Sequence, residues 1–404
     1  MKKTVFLIVA LLLLIPAAQG RGLRHCRPEA EGMDGRRLAL ADSVIEAAIA
    51  GKSIPGAVLA VVRGESIVYL KAYGNRQVVP DTVAMTTGTV FDLASLSKCV
   101  GTTIAVMQLA EQGYLRLTDP VSLYIPGFKP WKAPESARTR EIRIVDLLSH
   151  SAGLPPAIDV KKYLSKYGPA SPEALIRHIA EDEPRRFEPT TDYLYSCLNF
   201  ITLQHIVENI TGQRLCDYVQ ANVFDRLGLE HTCYNPYSEH PEIMPLVAPT
   251  EVGRDGVALL GEVHDPTARI VNCGNSGNAG VFSSAEDLAV IAAAIMNGGQ
   301  INGRRILSPL SVETMVSVPG DNAPHIGRAL GWDNRSTSAT LRGDLFSRTR
   351  TICHTGYTGT SMVIDLDARC AVILLTHRVH PADKGSVAAL RAKVANVVAS
   401  ALIQ

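Results

Sequence analysis

Phe91-Asp92-Leu93-Ala94-Ser95-Leu96-Ser97-Lys98 is the stretch on which the reading of this chain turns. It follows a Thr/Gly-rich loop, Thr86-Thr87-Gly88-Thr89, and precedes a long, largely apolar run from Val100 to Ala110. That order reads as a loop entering a buried helix, which is expected to end near Gly113. Ser95 and Lys98 stand three residues apart, and on a helix such residues are surface neighbours, about 5–6 Å apart at Cβ. A hydroxyl held beside an amine at the start of a helix is the arrangement of an activated nucleophile. Burial can strip the amine of its charge and let it accept the hydroxyl proton. The same spacing also serves to cap and solvate a helix, so the pair needs partners elsewhere in the chain.

Outward from this stretch, strand signals lie at both ends and helical signals between them. Met33 to Ala50 has helical periodicity, with Asp34 placed to cap it and Gly51 to stop it. Ala57–Val62 and Ser66–Tyr73, separated by Arg63-Gly64-Glu65, read as a β-hairpin. Ile144–Leu148, Ala174–Ala180 and Phe200–Gly212 read as helices joined by proline-marked connections, and residues 234–270 as irregular. Late in the chain Arg350–Thr355, Ser361–Leu366 and Cys370–Thr376 read as three strands joined by turns, and Lys384–Leu402 as a closing helix. The expected fold is therefore α/β of the α+β kind. An antiparallel sheet built from both chain ends is flanked by helices, with a mostly helical lobe inserted. The sheet lobe is expected over about 28–90 and 281–404, and the helical lobe over about 91–280.

Composition narrows the function. The chain has 404 residues, 46% hydrophobic and 20% charged, as in ordinary globular proteins. A net charge of +1 and 5% aromatic residues provide neither the basic surface nor the stacking platform of a nucleic-acid binder. Residues 1–20 read as a secretory signal peptide. Lys2 and Lys3 form a basic head, Val5–Ile15 an apolar centre, and Pro16–Gly20 a small-residue exit. An uncleaved anchor is the other reading of this segment, and no later run has the length of a transmembrane helix. The eight cysteines show no metal-ligand spacing, and their pairing is open. No His/Asp/Glu pattern suggests a metal site, and no cofactor is expected.

Two further elements complete the pattern. Tyr195-Ser196-Cys197-Leu198-Asn199 comes about a hundred residues after Ser95, and His354-Thr355-Gly356-Tyr357 lies at the end of a late strand. With these the chain resembles the serine β-lactamase and penicillin-binding superfamily, most closely its class C β-lactamase and family VIII esterase branch. Leu147–Pro155, Val263–Pro266, Gly277–Ser283 and Leu375–Pro381 extend the resemblance over nearly the whole chain after the signal.

The resemblance implies that Ser95 is the acylated nucleophile, Lys98 the first base and Tyr195 the second acid/base, its phenol made more acidic by the lysine. His354, Thr355, Gly356 and Tyr357, with Cys197 and Asn199, would face the substrate. The backbone N–H groups of Ser95 and Tyr357 would form the oxyanion hole. Two positions depart from the pattern. Cys197 stands where Asn or Asp is usual, with Asn199 as a partial substitute, and Asn278 stands where His is frequent. His150, in the turn after Ile144–Leu148, is expected to be structural, Cys99 to pack in the helix core, and Cys353 to point away from His354. His264-Asp265 reads as a site-rim pair or a loop-stabilising one.

The implied function is an exported serine hydrolase working through an acyl-enzyme. Its substrate would be a D-Ala-type cell-wall peptide, a small ester or a β-lactam, and peptidase or esterase ranks above β-lactamase. The alternative is a penicillin-binding sensor with little or no turnover.

Overall fold

In the computed structural model, residues 22–337 and 339–403 are described, so the expected signal peptide lies outside them. The main sheet has seven strands: β1 (Arg24–His25), β2 (Gly56–Arg63), β3 (Ser66–Gln77), β4 (Val83–Ala84), β5 (Thr351–Thr355), β6 (Ser361–Asp365) and β7 (Cys370–Thr376). Their order is β1-β3-β2-β7-β6-β5, with β4 beside β3. All pairs are antiparallel except the two-residue β1, which runs parallel to β3. The sheet is built from both ends of the chain, as the strand signals imply.

Alternation along these strands sorts side chains into two cores. Val58, Ala60 and Val62, with Ala371, Ile373 and Leu375, face one core; Ala57, Leu59 and Val61, with Cys370, Val372 and Leu374, face the other. Burial on both faces explains why β2 and β7 read as continuous apolar runs. Helix α4 (Ala285–Met296) packs on the first face, against β2 and β7. Helices α1 (Leu40–Ala50) and α5 (Ala388–Ser400) pack together on the second. The first core continues into the helical part of the chain, which includes α2 (Ile104–Glu111) and α3 (Cys197–Thr211). Cys353 belongs to the second core, so its neighbour His354 points to the first face, toward the helical part.

Two expected helices differ in detail. The first is broken at Ala39 into a turn, Gly35–Leu38, capped by Asp34, and then α1. The helix expected from Ser95 is three pieces: a 3₁₀ turn Ala94–Leu96, a π turn Lys98–Thr103, and α2. The cause is local competition for backbone groups. The Thr103 hydroxyl donates to the Lys98 carbonyl (2.7 Å) and the Thr102 hydroxyl to the Gly277 carbonyl (2.8 Å), which docks the loop before Val281 on this turn. π turns of this kind are frequent at functional sites.

Candidate active site

Ser95 sits on a strained elbow. Ala94, just before it, has φ +46°, a left-handed conformation costing a non-glycine residue about 1–2 kcal/mol. Buried Asp92 holds that conformation: its carboxylate accepts the N–H of Ala94 (2.8 Å) and that of His264 (2.7 Å). Burial pushes the Asp92 carboxyl up, and the two N–H groups oppose the push. The 3₁₀ turn then sets the spacing. Its three residues per turn eclipse positions i and i+3, bringing Lys98 against Ser95.

Lys98 is fully buried. Its Nζ donates to Ser95 Oγ (3.0 Å), to the Asn278 carbonyl (2.8 Å) and to Cys197 Sγ (3.6 Å). An ammonium has three protons, and here each has an acceptor. Burial pulls the ammonium down, but negative charge on Cys197 and Tyr195 pushes it up, and the net direction is up. The sequence leads to an amine that is neutral or shares a proton; burial alone would neutralise Lys98, and the charge of Cys197 and Tyr195 opposes it.

Tyr195 faces the same amine, with Lys98 Nζ 5.2 Å from its ring centre. Burial pushes its phenol up, while Lys98 and the Ser95 hydroxyl pull it down; the net is up. The lowered phenol expected from the sequence is thus only half the balance, because desolvation outweighs the lysine. The two groups favour opposite partners, since Lys98 keeps its proton best when Tyr195 has lost one.

His354 stands on β5 with its ring 5.9 Å from that of Tyr195. Its Nδ1 lies 2.9 Å from the Thr355 carbonyl, an acceptor only, so Nδ1 carries the proton. Nε2 is a buried lone pair with no partner among the described residues. Burial, then the Arg328 and Lys98 charges, hold the ring neutral, well below the usual histidine range. His354 therefore keeps a bare acceptor nitrogen, not a cation, near Tyr195.

The loop after His354 is tied to the elbow. The hydroxyls of Thr358 and Thr360 donate to the carbonyls of Asp92 (2.8 Å) and Leu93 (3.0 Å). Gly356 is required here: a Cβ would collide with the Thr360 hydroxyl and the Leu93 carbonyl. From α5 the buried guanidinium of Arg391 donates to the carbonyls of Gly356 (3.0 Å) and Thr360 (2.8 Å). The N–H of Tyr357 has no partner among the described residues, as an oxyanion donor needs. Its exposed side chain is held by Asp383 (2.5 Å), by Arg378 over its ring (4.6 Å) and by the His264 ring (5.8 Å).

The expected site residues thus separate. Ser95, Lys98, Tyr195, Cys197 and His354 come together, with Thr355, Gly356 and Tyr357 along one wall. Asn199 does not substitute for Cys197. It is buried two residues further along the helix, about half a turn round from Cys197, and its Nδ2 lies 3.2 Å from His150 Nδ1. The Asn278 side chain accepts from Ser276 (2.7 Å), so only its carbonyl meets Lys98.

His150 does more than end a helix. Its Nδ1 accepts the Ser196 N–H (3.1 Å) and its ring packs on Tyr195, centres 4.3 Å apart, fixing the phenol from behind. Asp92, Arg328 and Arg391 also escaped the sequence reading. For Asp92 a signal exists, an Asx turn two residues before a left-handed alanine; the two arginines have no local pattern. The His264-Asp265 pair holds loops through the His264 N–H on Asp92 and the Ala268 N–H on Asp265 (2.8 Å). Among the described residues no group of His, Cys, Asp and Glu could hold a metal ion. All eight cysteines are free.

A left-handed elbow bearing serine, a buried lysine against its hydroxyl, a tyrosine beside that lysine and, on the adjoining strand loop, an N–H without a partner among the described residues thus lie together. The Beta-lactamase family profile matches residues 41–396, and the chain belongs to that family. It is 31% identical over 374 residues to a Salmonella gallinarum protein named "Putative D-alanyl-D-alanine carboxypeptidase", covering 87% of this chain and 85% of that one. Among solved structures, EstCE1, a hydrolase with promiscuous acyltransferase activity, superposes with a TM-score of 0.71 at 22% identity, over 92% of this chain and all of its own. The penicillin-binding protein homologue of Pyrococcus abyssi gives 0.65 at 20% identity, over 88% and 76%. The fold fits serine acyl-enzyme hydrolases. No helix among the described residues is long and apolar enough to cross a membrane.

Proposed function

We propose that the protein is a serine hydrolase that acylates itself at Ser95 and acts on D-alanyl peptides or small esters, in preference to β-lactams. The observation that carries this is the 3.0 Å contact between Lys98 Nζ and Ser95 Oγ, on an elbow held by Asp92. Ser95 Oγ attacks the acyl carbonyl carbon while Tyr195, which has first given its phenol proton to solvent and is held as phenolate by the Lys98 charge, takes the serine proton. The N–H groups of Ser95 and Tyr357 receive the charge that develops on the carbonyl oxygen. Tyr195 returns the proton to the leaving oxygen or nitrogen as that bond breaks. Water, deprotonated by the same phenolate, then releases the acid and restores Ser95.

The neutral acceptor at His354 bears on specificity. It offers no charge to a substrate carboxylate, which supports esters and uncharged leaving groups most directly, whereas the 31% identical relatives support D-alanyl peptides. Those relatives, together with the basic head and apolar run of residues 1–20, support export to the periplasm.

The test compares turnover of a p-nitrophenyl ester, a D-Ala-D-Ala peptide and a chromogenic cephalosporin, alongside fluorescent penicillin labelling, in wild type and Ser95→Ala. Turnover of the ester or peptide that vanishes in Ser95→Ala is the expected result. Full turnover in Ser95→Ala would overturn the mechanism. Stable labelling without turnover of any of the three would make the protein a sensor instead.

A further inference from the structure

The catalytic cluster holds a second buried cation that the acyl-transfer scheme leaves unused. Arg328 is 2% exposed. One of its nitrogens reaches the Asp333 carboxylate (3.2 Å), while Nε and Nη2 have no hydrogen-bond partner among the described residues. Its Cζ lies 5.8 Å from the ring centre of Tyr195 and 5.9 Å from that of Tyr193. A guanidinium is always charged, and burying one with two nitrogens unsatisfied is costly. Hydrophobic replacements of buried ion pairs are often neutral or stabilising, so stability alone is a poor reason for this residue. What its position offers is a positive charge against the phenol, an attraction that strengthens when a phenol becomes phenolate.

The geometry points to Arg328 as a positioning residue for Tyr195: a fixed cation that holds the ring and favours its ionised form, with Asp333 limiting how much of that charge the phenol feels. This rests on the acyl-transfer reading of Ser95 and Tyr195. Asp333 suits the limiting role because its carboxylate is itself anchored, accepting from the Ser336 N–H (3.2 Å) and hydroxyl (2.6 Å). Its backbone pairs with Cys353, next to His354, which places the Arg328–Asp333 pair on the edge of the strand that bears the histidine.

The other groups facing Tyr195 are accounted for. Lys98 and Ser95 reach it from the elbow, and Cys197 lies on its own segment. His150 and His354 pack against its ring, and both are held neutral by burial and by the Arg328 and Lys98 charges. Tyr193 and the Cys99 thiol face Arg328 itself. Arg328 is thus the cation that acts on Tyr195 with no bond to Ser95, which separates its effect from that of Lys98.

The experiment measures kcat/KM against pH with p-nitrophenyl butyrate, together with near-ultraviolet titration of tyrosinate, assigned by its loss in Tyr195→Phe. In Arg328→Met the acid limb and the tyrosinate transition are expected to move up by about one pH unit, a roughly tenfold lower kcat/KM below the limb. Arg328→Lys should recover part of the shift. Asp333→Asn should move both transitions down, because the same cation is then less opposed. If Arg328→Met fails to fold, Arg328→Met/Asp333→Asn removes both charges, leaves no orphaned carboxylate, and should still move the transitions up. Unchanged transitions in a folded Arg328 variant, or shifts of the same sign in Arg328→Met and Asp333→Asn, would overturn the inference. The acyl-transfer reading fails separately, if Ser95→Ala retains turnover, and the tyrosinate titration still reads Arg328 in that case.

Discussion

Replacing Asp92 by asparagine is expected to weaken both the fold and the chemistry, and the structure sets the size of the effect. The carboxylate accepts two backbone N–H groups, from Ala94 and His264, at 2.8 and 2.7 Å. Hydrogen bonds to a charged group contribute about 1.5–3 kcal/mol each. Asparagine keeps one acceptor oxygen but turns an NH₂ toward the second N–H, so one bond is lost and two donors oppose each other. Against that, asparagine removes the cost of burying a charge, which is what pushes the Asp92 carboxyl up. The balance is a loss of about 1–3 kcal/mol in unfolding free energy, measured by urea denaturation.

The catalytic effect follows from Ala94. Its left-handed conformation costs about 1–2 kcal/mol and persists only while Asp92 holds it. Once released, the elbow relaxes, and Ser95 Oγ leaves the 3.0 Å contact with Lys98. Displacements of about 1 Å at a reacting atom cost on the order of 10²-fold in rate. Ester kcat/KM should therefore fall about 10- to 100-fold, with KM little changed. Ala94→Gly provides the complementary test. Glycine adopts that conformation freely, so this variant should keep its activity and tolerate Asp92→Asn better than alanine does. An Asp92→Asn protein with wild-type stability and wild-type kcat/KM would refute the reasoning.

Other outcomes are expected from the same geometry. His354→Lys puts a cation where a neutral acceptor stands, and should raise penicillin labelling relative to ester turnover; a ratio unchanged within twofold would count against the assigned tautomer. Cys197→Ala removes one of three acceptors around Lys98, worth about 1 kcal/mol or roughly fivefold in kcat/KM, read with the same ester. Buried His205 and His377 are held at about 4 and about 3, below the unfolded value near 6.5. Their stability is complete above the unfolded value and is lost as pH falls below it, about 2 kcal/mol each by pH 5. His377→Phe should flatten that acid slope in urea denaturation. Because all eight cysteines are free, adding dithiothreitol should leave Tm where it is, as differential scanning fluorimetry would show.

Much of the fold was legible in the sequence because apolar runs and turn residues report it directly. The hairpin around Arg63-Gly64-Glu65 and the three late strands are the clearest cases. The helix after Ser95 was legible as helical but not as a 3₁₀ turn followed by a π turn, since that depends on Thr102 and Thr103 meeting Gly277 and Lys98. In the candidate site, Ser95 and Lys98 stand out by their spacing, and Tyr195 and His354 by the motifs that carry the family resemblance. Asn199 misled because Cys197 meets Lys98, while two residues along the helix turn the amide about half a turn round, onto His150. The upward shift of Lys98 could not be read from residue types, because it depends on Cys197 and Tyr195, about a hundred residues further along the chain, being brought against it.

The grip of Arg391 on the Gly356 and Thr360 carbonyls has a consequence for biosynthesis. The serine, lysine and tyrosine are all translated by residue 195, yet the loop bearing the Tyr357 N–H is braced by a helix that spans Ala388–Ser400. A chain folded only as far as Tyr195 lacks that brace, so the serine, lysine and tyrosine are all made well before the loop beside them can be held in place.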